Sequence, residues 1–176
     1  MAVCYNCNKK IGFFESSRKA FGKKICFPCI DNLGYNNCLS TNESLYPEKH
    51  FKNFEQLLQI LKERKLLYDQ MDKMFKQTCE FKDLDLDLGG QLDLKIDENS
   101  KIICIVKRSA KIYFNYSDFI KIEELDNRWK NVPGQVLFFH YFIYYNLFGS
   151  ENILILNKNA KNTEEAAQFF KNLKSA

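Results

Sequence analysis

Apolar residues follow two rhythms along this 176-residue chain. From Asn53 to Gln77 they recur every three or four positions, at Phe54, Leu57, Leu61, Tyr68, Met71 and Phe75, with Arg64 as the one polar interruption. That period predicts a long helix, and residues 53–77 would span roughly 37 Å. Asn53 suits the N-cap, with Gln56 three positions on. Leu58, Ile60, Leu66, Leu67 and Met74 widen the apolar face. The width favours a helix packed on its own domain, or joining two modules, over a homodimer seam along 53–77.

After the helix the rhythm changes to two. Residues 83–96 alternate polar and apolar on both sides of Gly89-Gly90, which predicts a hairpin. Leu84, Leu86, Leu88, Leu92, Leu94 and Ile96 would face a core, and Asp83, Asp85 and Asp87 water. Ile102 to Val106 and Lys111 to Tyr116 predict two further strands, joined near Arg108-Ser109. Phe119 to Leu125 predicts another, with Asp126-Asn127 as its turn. The aromatic and β-branched run 136–148 reads as a buried strand, with His140 a core or strand-face residue. Ile153 to Leu156 give one more. Asn162 and Glu165 cap a final helix whose Ala166, Phe169, Phe170 and Leu173 share a face.

The first 38 residues are too few to fold on a hydrophobic core alone. Ile11 to Phe14 and Phe21 to Ile25 read as short strands around the turn Glu15 to Arg18, followed by one helical turn ended by Gly34. What changes the picture is cysteine chemistry. Cys4-Tyr-Asn-Cys7 and Cys26-Phe-Pro-Cys29 form two CxxC pairs, a spacing that reads as one four-thiolate zinc site. With Cys4, Cys7, Cys26 and Cys29 all coordinating, no position remains for a substrate water, so the single Zn2+ would be structural. A redox pair of the thioredoxin kind needs one CxxC in a βαβ setting. An iron centre uses the same four ligands and stays open beside zinc. A knuckle, a hairpin and a CxxC at the head of a helix make a treble clef; a zinc ribbon would continue after Cys29 as a strand.

The pattern Cys-x-x-Cys-Asn-Lys-Lys-Ile-Gly, then a basic stretch and Cys-x-x-Cys-Ile, resembles a small bacterial four-cysteine domain family of unknown function over residues 4–34. That resemblance implies the metal ligands Cys4, Cys7, Cys26 and Cys29, and a helix and PH-like β domain behind them. It brings no catalytic residues. The stretch Ile96 to Ile103, then Ile112 to Leu125 with its Tyr-Ser-Asp-Phe turn, is similar to bacterial PH-like domains.

Hydrophobic content of 45% suffices for a packed core. The formal charge of +4 is unevenly spread: residues 1–38 carry six basic and two acidic side chains, and 83–99 one basic and six acidic. Lys9, Lys10, Arg18, Lys19, Lys23 and Lys24, with Phe13, Phe14 and Phe21, are the candidate nucleic-acid contacts. Cys38, Cys79 and Cys104 look like ordinary thiols, which fits a reducing cytoplasm, and the N-terminus has no apolar segment of a secretory signal. The Asp-x-Asp run fails as a calcium loop, because Leu88 and Leu94 stand where Gly and Glu are needed. The His-x-Glu of zinc deaminases is absent, as are nucleotide-binding, hydrolase and metalloprotease motifs. The run 136–148 is too short for a membrane-spanning helix, though a peripheral membrane contact is an alternative use of it.

The sequence thus predicts an α+β chain in three parts: a four-cysteine module at 1–38, a connector and long helix at 39–80, and a mainly antiparallel PH-like β domain with a C-terminal helix at 81–176. The expected function is a non-enzymatic zinc-containing adaptor that binds a protein or a lipid headgroup through the β domain. The alternative is nucleic-acid binding through the basic module.

Overall fold

The computed structural model describes residues 2–13, 15–84, 92–107, 110–124, 140–157 and 160–173. Phe14, Asp85 to Leu88, the Gly89-Gly90 turn, Arg108-Ser109, Leu125, the Asp126-Asn127 turn and residues 136–139 lie outside them. The chain mixes helix and sheet, with a small N-terminal β region, a long helix and antiparallel sheets. It forms two compact units, Met1–Gln70 and Met71–Ala176.

The first unit begins with β1 (Ala2–Val3) and β2 (Lys10–Ile11), paired antiparallel around the first CxxC. β3 (Ser17–Ala20) and β4 (Lys23–Cys26) form a hairpin, and α1 (Phe27–Asn32) follows at once. This corrects the expected strand layout. The hairpin turns at Phe21-Gly22, not at Glu15 to Arg18. Both turn residues have positive φ, 51° and 73°, the backbone twist that a two-residue hairpin loop needs. Gly22 advertises such a turn, but nothing in the sequence marks Phe21 for it. Glu48 accepts a hydrogen bond from the Phe21 amide at 2.8 Å, which gives this turn an external anchor.

Helix α1 leaves Cys29 inside its first turn and ends before Gly34, whose φ is +68°. A Cβ at Gly34 would come within 2.8 Å of Cys38 Sγ and 2.9 Å of a Lys65 carbon, so glycine is needed both for conformation and for room. Two short helices follow, α2 (Thr41–Leu45) and α3 (Pro47–His50). Ser40 and Glu43 form a reciprocal capping box at the start of α2.

Helix α4 covers Phe54–Met74. Asn53 Oδ1 accepts the Gln56 amide at 2.8 Å, as a cap should. The helix is shorter than expected, 21 residues, because the Lys76 amide binds the Asp97 carboxylate at 2.6 Å instead of continuing the helical ladder. Within the first unit its seam residues Phe54, Leu57, Leu61 and Tyr68 are buried. Arg64, the polar interruption, forms a two-pronged ion pair with buried Glu43 at 2.8 and 3.0 Å and donates to the Cys38 carbonyl at 3.1 Å. The interruption therefore meets a carboxylate that the capping box has already fixed in place.

The second unit holds two antiparallel sheets. The first is β5 (Cys79–Phe81), β6 (Leu92–Asp97), β7 (Ile102–Lys107) and β8 (Ala110–Asn115), in that order. The strand before β6 thus starts at Cys79, earlier than the Asp-Leu repeat suggests. A 3-10 turn at Tyr116–Asp118, capped reciprocally by Asn115 and Asp118, leads into β9 (Phe119–Glu124). β9, β10 (His140–Leu147) and β11 (Ser150–Asn157) form the second sheet, with β10 central.

Helix α5 (Thr163–Leu173) closes the unit. Leu92, Leu94, Ile96, Ile103, Ile105 and Phe114 of the first sheet share one core with Tyr141, Ile143, Tyr145, Leu147 and Leu156 of the second and with Phe170 of α5. Leu84 joins them. The Asn162 carbonyl accepts the Ala166 amide as a helix start should, while its side-chain amide donates to the Lys82 carbonyl.

Solvation does not account for two of the acids. Asp93 and Asp97 are buried in β6. Asp93 accepts the Asp83 amide at 3.0 Å. Asp97 accepts the Lys76 amide with one oxygen, and those of Asn99 and Ser100 with the other. Ser100 and the Lys76 amide, first among these partners, hold the Asp97 carboxyl down at about 2.

Candidate metal centre

Cys4 lies at the end of β1, where its amide donates to the Lys9 carbonyl at 2.8 Å. The Asn8 amide returns to the Cys4 carbonyl at 2.9 Å, and Asn8 takes a positive φ of 59°. This tight knuckle turns Cys7 back toward Cys4. A parallel bridge between Cys4 and Lys24 ties the knuckle to β4, which ends in Cys26. One turn of α1 then places Cys29 beside Cys26. Backbone pairing brings the two distant CxxC pairs into one cluster.

The four Sγ atoms all lie within 4.8 Å of one another, and Cys7 and Cys26 are 3.7 Å apart. A tetrahedron with metal–sulfur bonds of about 2.3 Å has edges of about 3.8 Å. The donor set and its dimensions therefore fit a single thiophilic ion such as zinc. Among the described residues this is the one such group of His, Cys, Asp or Glu.

Hydrogen bonds prepare the sulfurs of Cys4, Cys26 and Cys29, the Cys29 amide reaching Cys26. The Cys26 amide donates to Cys4 Sγ at 3.3 Å, and Asn6 Nδ2 donates to Cys29 Sγ at 3.3 Å. Burial opposes ionisation of Cys4, yet the amides of Cys26, Cys7 and Asn6 outweigh it and bring that thiol down to about 6. Burial, with the neighbouring sulfurs, pushes Cys29 up to about 12 against the Asn6 hydrogen bond. Thiols this crowded ionise together only around a cation, so proton release accompanies metal binding. Cys4, Cys26 and Cys29 are buried; Cys7 is exposed. Cys38 and Cys104 are buried elsewhere, their thiols pushed up by burial to about 12 and about 11, and Cys79 is half-buried.

The six basic residues divide into two groups. Arg18 lies with its guanidinium 5.3 Å from the Tyr35 ring centre, and Lys23 sits 3.7 Å from the Tyr5 ring centre. Lys23 also pairs with Glu55 at 2.8 Å, and the Tyr5 hydroxyl donates to the same oxygen at 2.7 Å. Lys23 first, then Tyr5, hold the Glu55 carboxyl at about 2. The Tyr5 and Phe54 rings meet edge to face at 4.8 Å. Knuckle, hairpin and α4 are thus joined through Tyr5 and Lys23. Lys9, Lys10, Lys19 and Lys24 are exposed, and Lys19 stands directly opposite Lys24 across the hairpin.

Sequence reasoning picked out the four sulfurs but missed Asn6, Tyr5 and Glu55. Asn6 carried a signal, as a donor inside the CxxC turn. The Tyr5–Glu55 contact joins residues fifty positions apart and leaves no local trace. No family model, curated protein or solved structure matches the chain. No helix among the described residues is long and apolar enough to cross a membrane.

Proposed function

We propose that this protein is a non-enzymatic adaptor, in which a zinc-holding treble clef and a PH-like β domain are carried on one chain and the β domain captures a protein partner. The four-sulfur cluster carries the reading. Its closed donor set leaves no coordination position for a substrate, which suits a scaffold. A helix, not a strand, follows Cys29, which supports a treble clef over a ribbon. Four strands, then three, then a helix is the order a PH-like domain has, and it supports that assignment here. The buried acids Glu43, Asp93 and Asp97 are engaged with backbone amides or Arg64, which is structural work.

The outer face of the second sheet supports a protein over a lipid headgroup. Ile153 and Ile155 are about half exposed there, at 51% and 49%, in register with Tyr144 and Phe142. The nearby charges are Glu151, Glu123 and a Lys121 already paired to Glu123 at 2.7 Å, a poor match for an anionic headgroup. The test is affinity capture with the full zinc-loaded chain against an Ile153→Asp/Ile155→Asp variant, alongside vesicles containing phosphatidylserine. Loss of a specific protein in the variant is expected. Retention on the vesicles by both chains, without a protein partner, would overturn the reading.

One observation favours a second reading, nucleic-acid binding by the first unit. Like charges directly opposite on paired strands are destabilising, and Lys19–Lys24 is such a pair, which a bound phosphate would relieve. Salt-dependent retention on single-stranded DNA or RNA, lost in Lys19→Gln/Lys24→Gln, is its signature.

A further inference from the structure

We propose that Cys7 is a modification site, the sulfur through which hydroperoxides attack the cluster and disconnect it from helix α4. The inference rests on the metal-holding role proposed for the cluster. Three of its cysteines are buried and Cys7 alone is exposed. N–H donors reach the sulfurs of Cys4, Cys26 and Cys29, and among the described residues Cys7 Sγ meets the sulfurs of Cys26, at 3.7 Å, and Cys29. A hydrogen bond to a thiolate draws electron density from it and lowers its nucleophilicity. Cys7 therefore combines access with undiminished reactivity, the two requirements for attack on an oxidant.

The chemistry closes on residues already in place. The Cys7 thiolate attacks one oxygen of a hydroperoxide. The O–O bond breaks, the second oxygen leaves with a proton as water or alcohol, and Cys7 becomes a sulfenic acid. Cys26, 3.7 Å away, then attacks the Cys7 sulfur. An S–S bond forms, the S–O bond breaks, and hydroxide takes up a proton to leave as water. Two thiolates have lost two electrons and the peroxide has gained them. Two of the four sulfurs are thereby withdrawn from the donor set, which weakens the hold on any ion.

The neighbouring contacts give the event a direction. Tyr5 lies between Cys4 and Cys7, and it also holds Phe54 and Glu55 at the start of α4. Loosening the knuckle releases Tyr5, and with it one of the contacts that fix the helix to its unit.

The test uses the full zinc-loaded chain. It is treated with substoichiometric hydrogen peroxide while a chromogenic chelator reports released zinc, and the cysteines are then mapped by mass spectrometry. A Cys7–Cys26 disulfide appearing together with zinc release is expected. In Cys7→His, which keeps a metal ligand but no thiol at that corner, release should slow by about tenfold or more, whereas Cys79→Ser, outside the cluster, should release at the parent rate. Should Cys7→His fail to take up zinc, mapping of the unaltered chain with limiting N-ethylmaleimide decides the matter, with Cys7 expected to be labelled first. First modification of Cys4, Cys26 or Cys29, or release from Cys7→His at the parent rate, would overturn the proposal.

Discussion

The two units reach stability by different routes. The second buries an apolar layer between two sheets and a helix, with Leu94, Ile96, Ile103, Ile143, Leu156 and Phe170 almost fully enclosed. The first gathers four thiols in one cluster, three of them buried, and encloses a fifth at Cys38 and the Glu43–Arg64 ion pair, with a smaller set of apolar side chains around them. A segment of that size gains little from burial alone. Directional chemistry supplements area there: a buried ion pair, capped helix ends and a four-sulfur cluster that could hold a metal ion. The difference teaches that the units should fail under different insults: the first to chelation and charge loss, the second to cavities and acid.

The largest effect should come from the cluster. Zinc sites of this type contribute about 10–16 kcal/mol in small metal-dependent modules. Chelation, or Cys26→Ser, is therefore expected to unfold the first unit while the strands of the second keep their dispersed amide NMR signals. Simultaneous loss of both sets of signals would show that the units share their stability and erase the contrast. Next, Phe170→Ala should cost the second unit about 3–5 kcal/mol in urea unfolding, as large-to-small changes in close-packed cores do. Zinc affinity should not change.

Arg64→Met leaves buried Glu43 without its cation, and should cost the first unit about 3–5 kcal/mol. Adding Glu43→Gln should restore part of that loss, because the penalty arises from the stranded charge. A double variant no better than Arg64→Met alone would place the cost in packing.

The smallest effect is expected from acid. The Asp97 carboxyl is lowered from 3.8 to about 2, so its contribution is complete above the ordinary value and is lost as pH falls through the folded one. The second unit should weaken between those two pH values, and Asp97→Asn should flatten that part of the stability profile. An unchanged profile would remove Asp97 from the account.

Legibility in the sequence follows the same division. Strands β6, β7 and β8 and helix α5 were readable because each presents a periodic apolar face to a large core. The cysteine cluster was readable because ligand spacing is a local property. The hairpin of the first unit was misplaced, because the decisive event is a positive φ at Phe21, and a phenylalanine does not announce that. The buried state of Asp97 was equally hidden. In sequence it is one more acid in an acidic stretch, and only folding places the Lys76, Asn99 and Ser100 amides around it. Arg64 was visible as an interruption, but its partner Glu43 lies on another helix.

Asp97 also has a mechanical consequence. The second unit takes in the last turn of α4, where Asp72 accepts the Tyr113 hydroxyl, and the chain beyond it is held by Asp97, which accepts the Lys76 amide, and by the Ile96 carbonyl, which accepts the Thr78 amide at 2.7 Å, just before β5 zips onto β6. Tension transmitted along α4 is thus resisted at its point of entry by hydrogen bonds to the Asp72 and Asp97 carboxylates, and then by the short β5–β6 ladder. Pulled from its N-terminal side, the second unit should yield first at this clamp, shedding β5 before its sandwich opens.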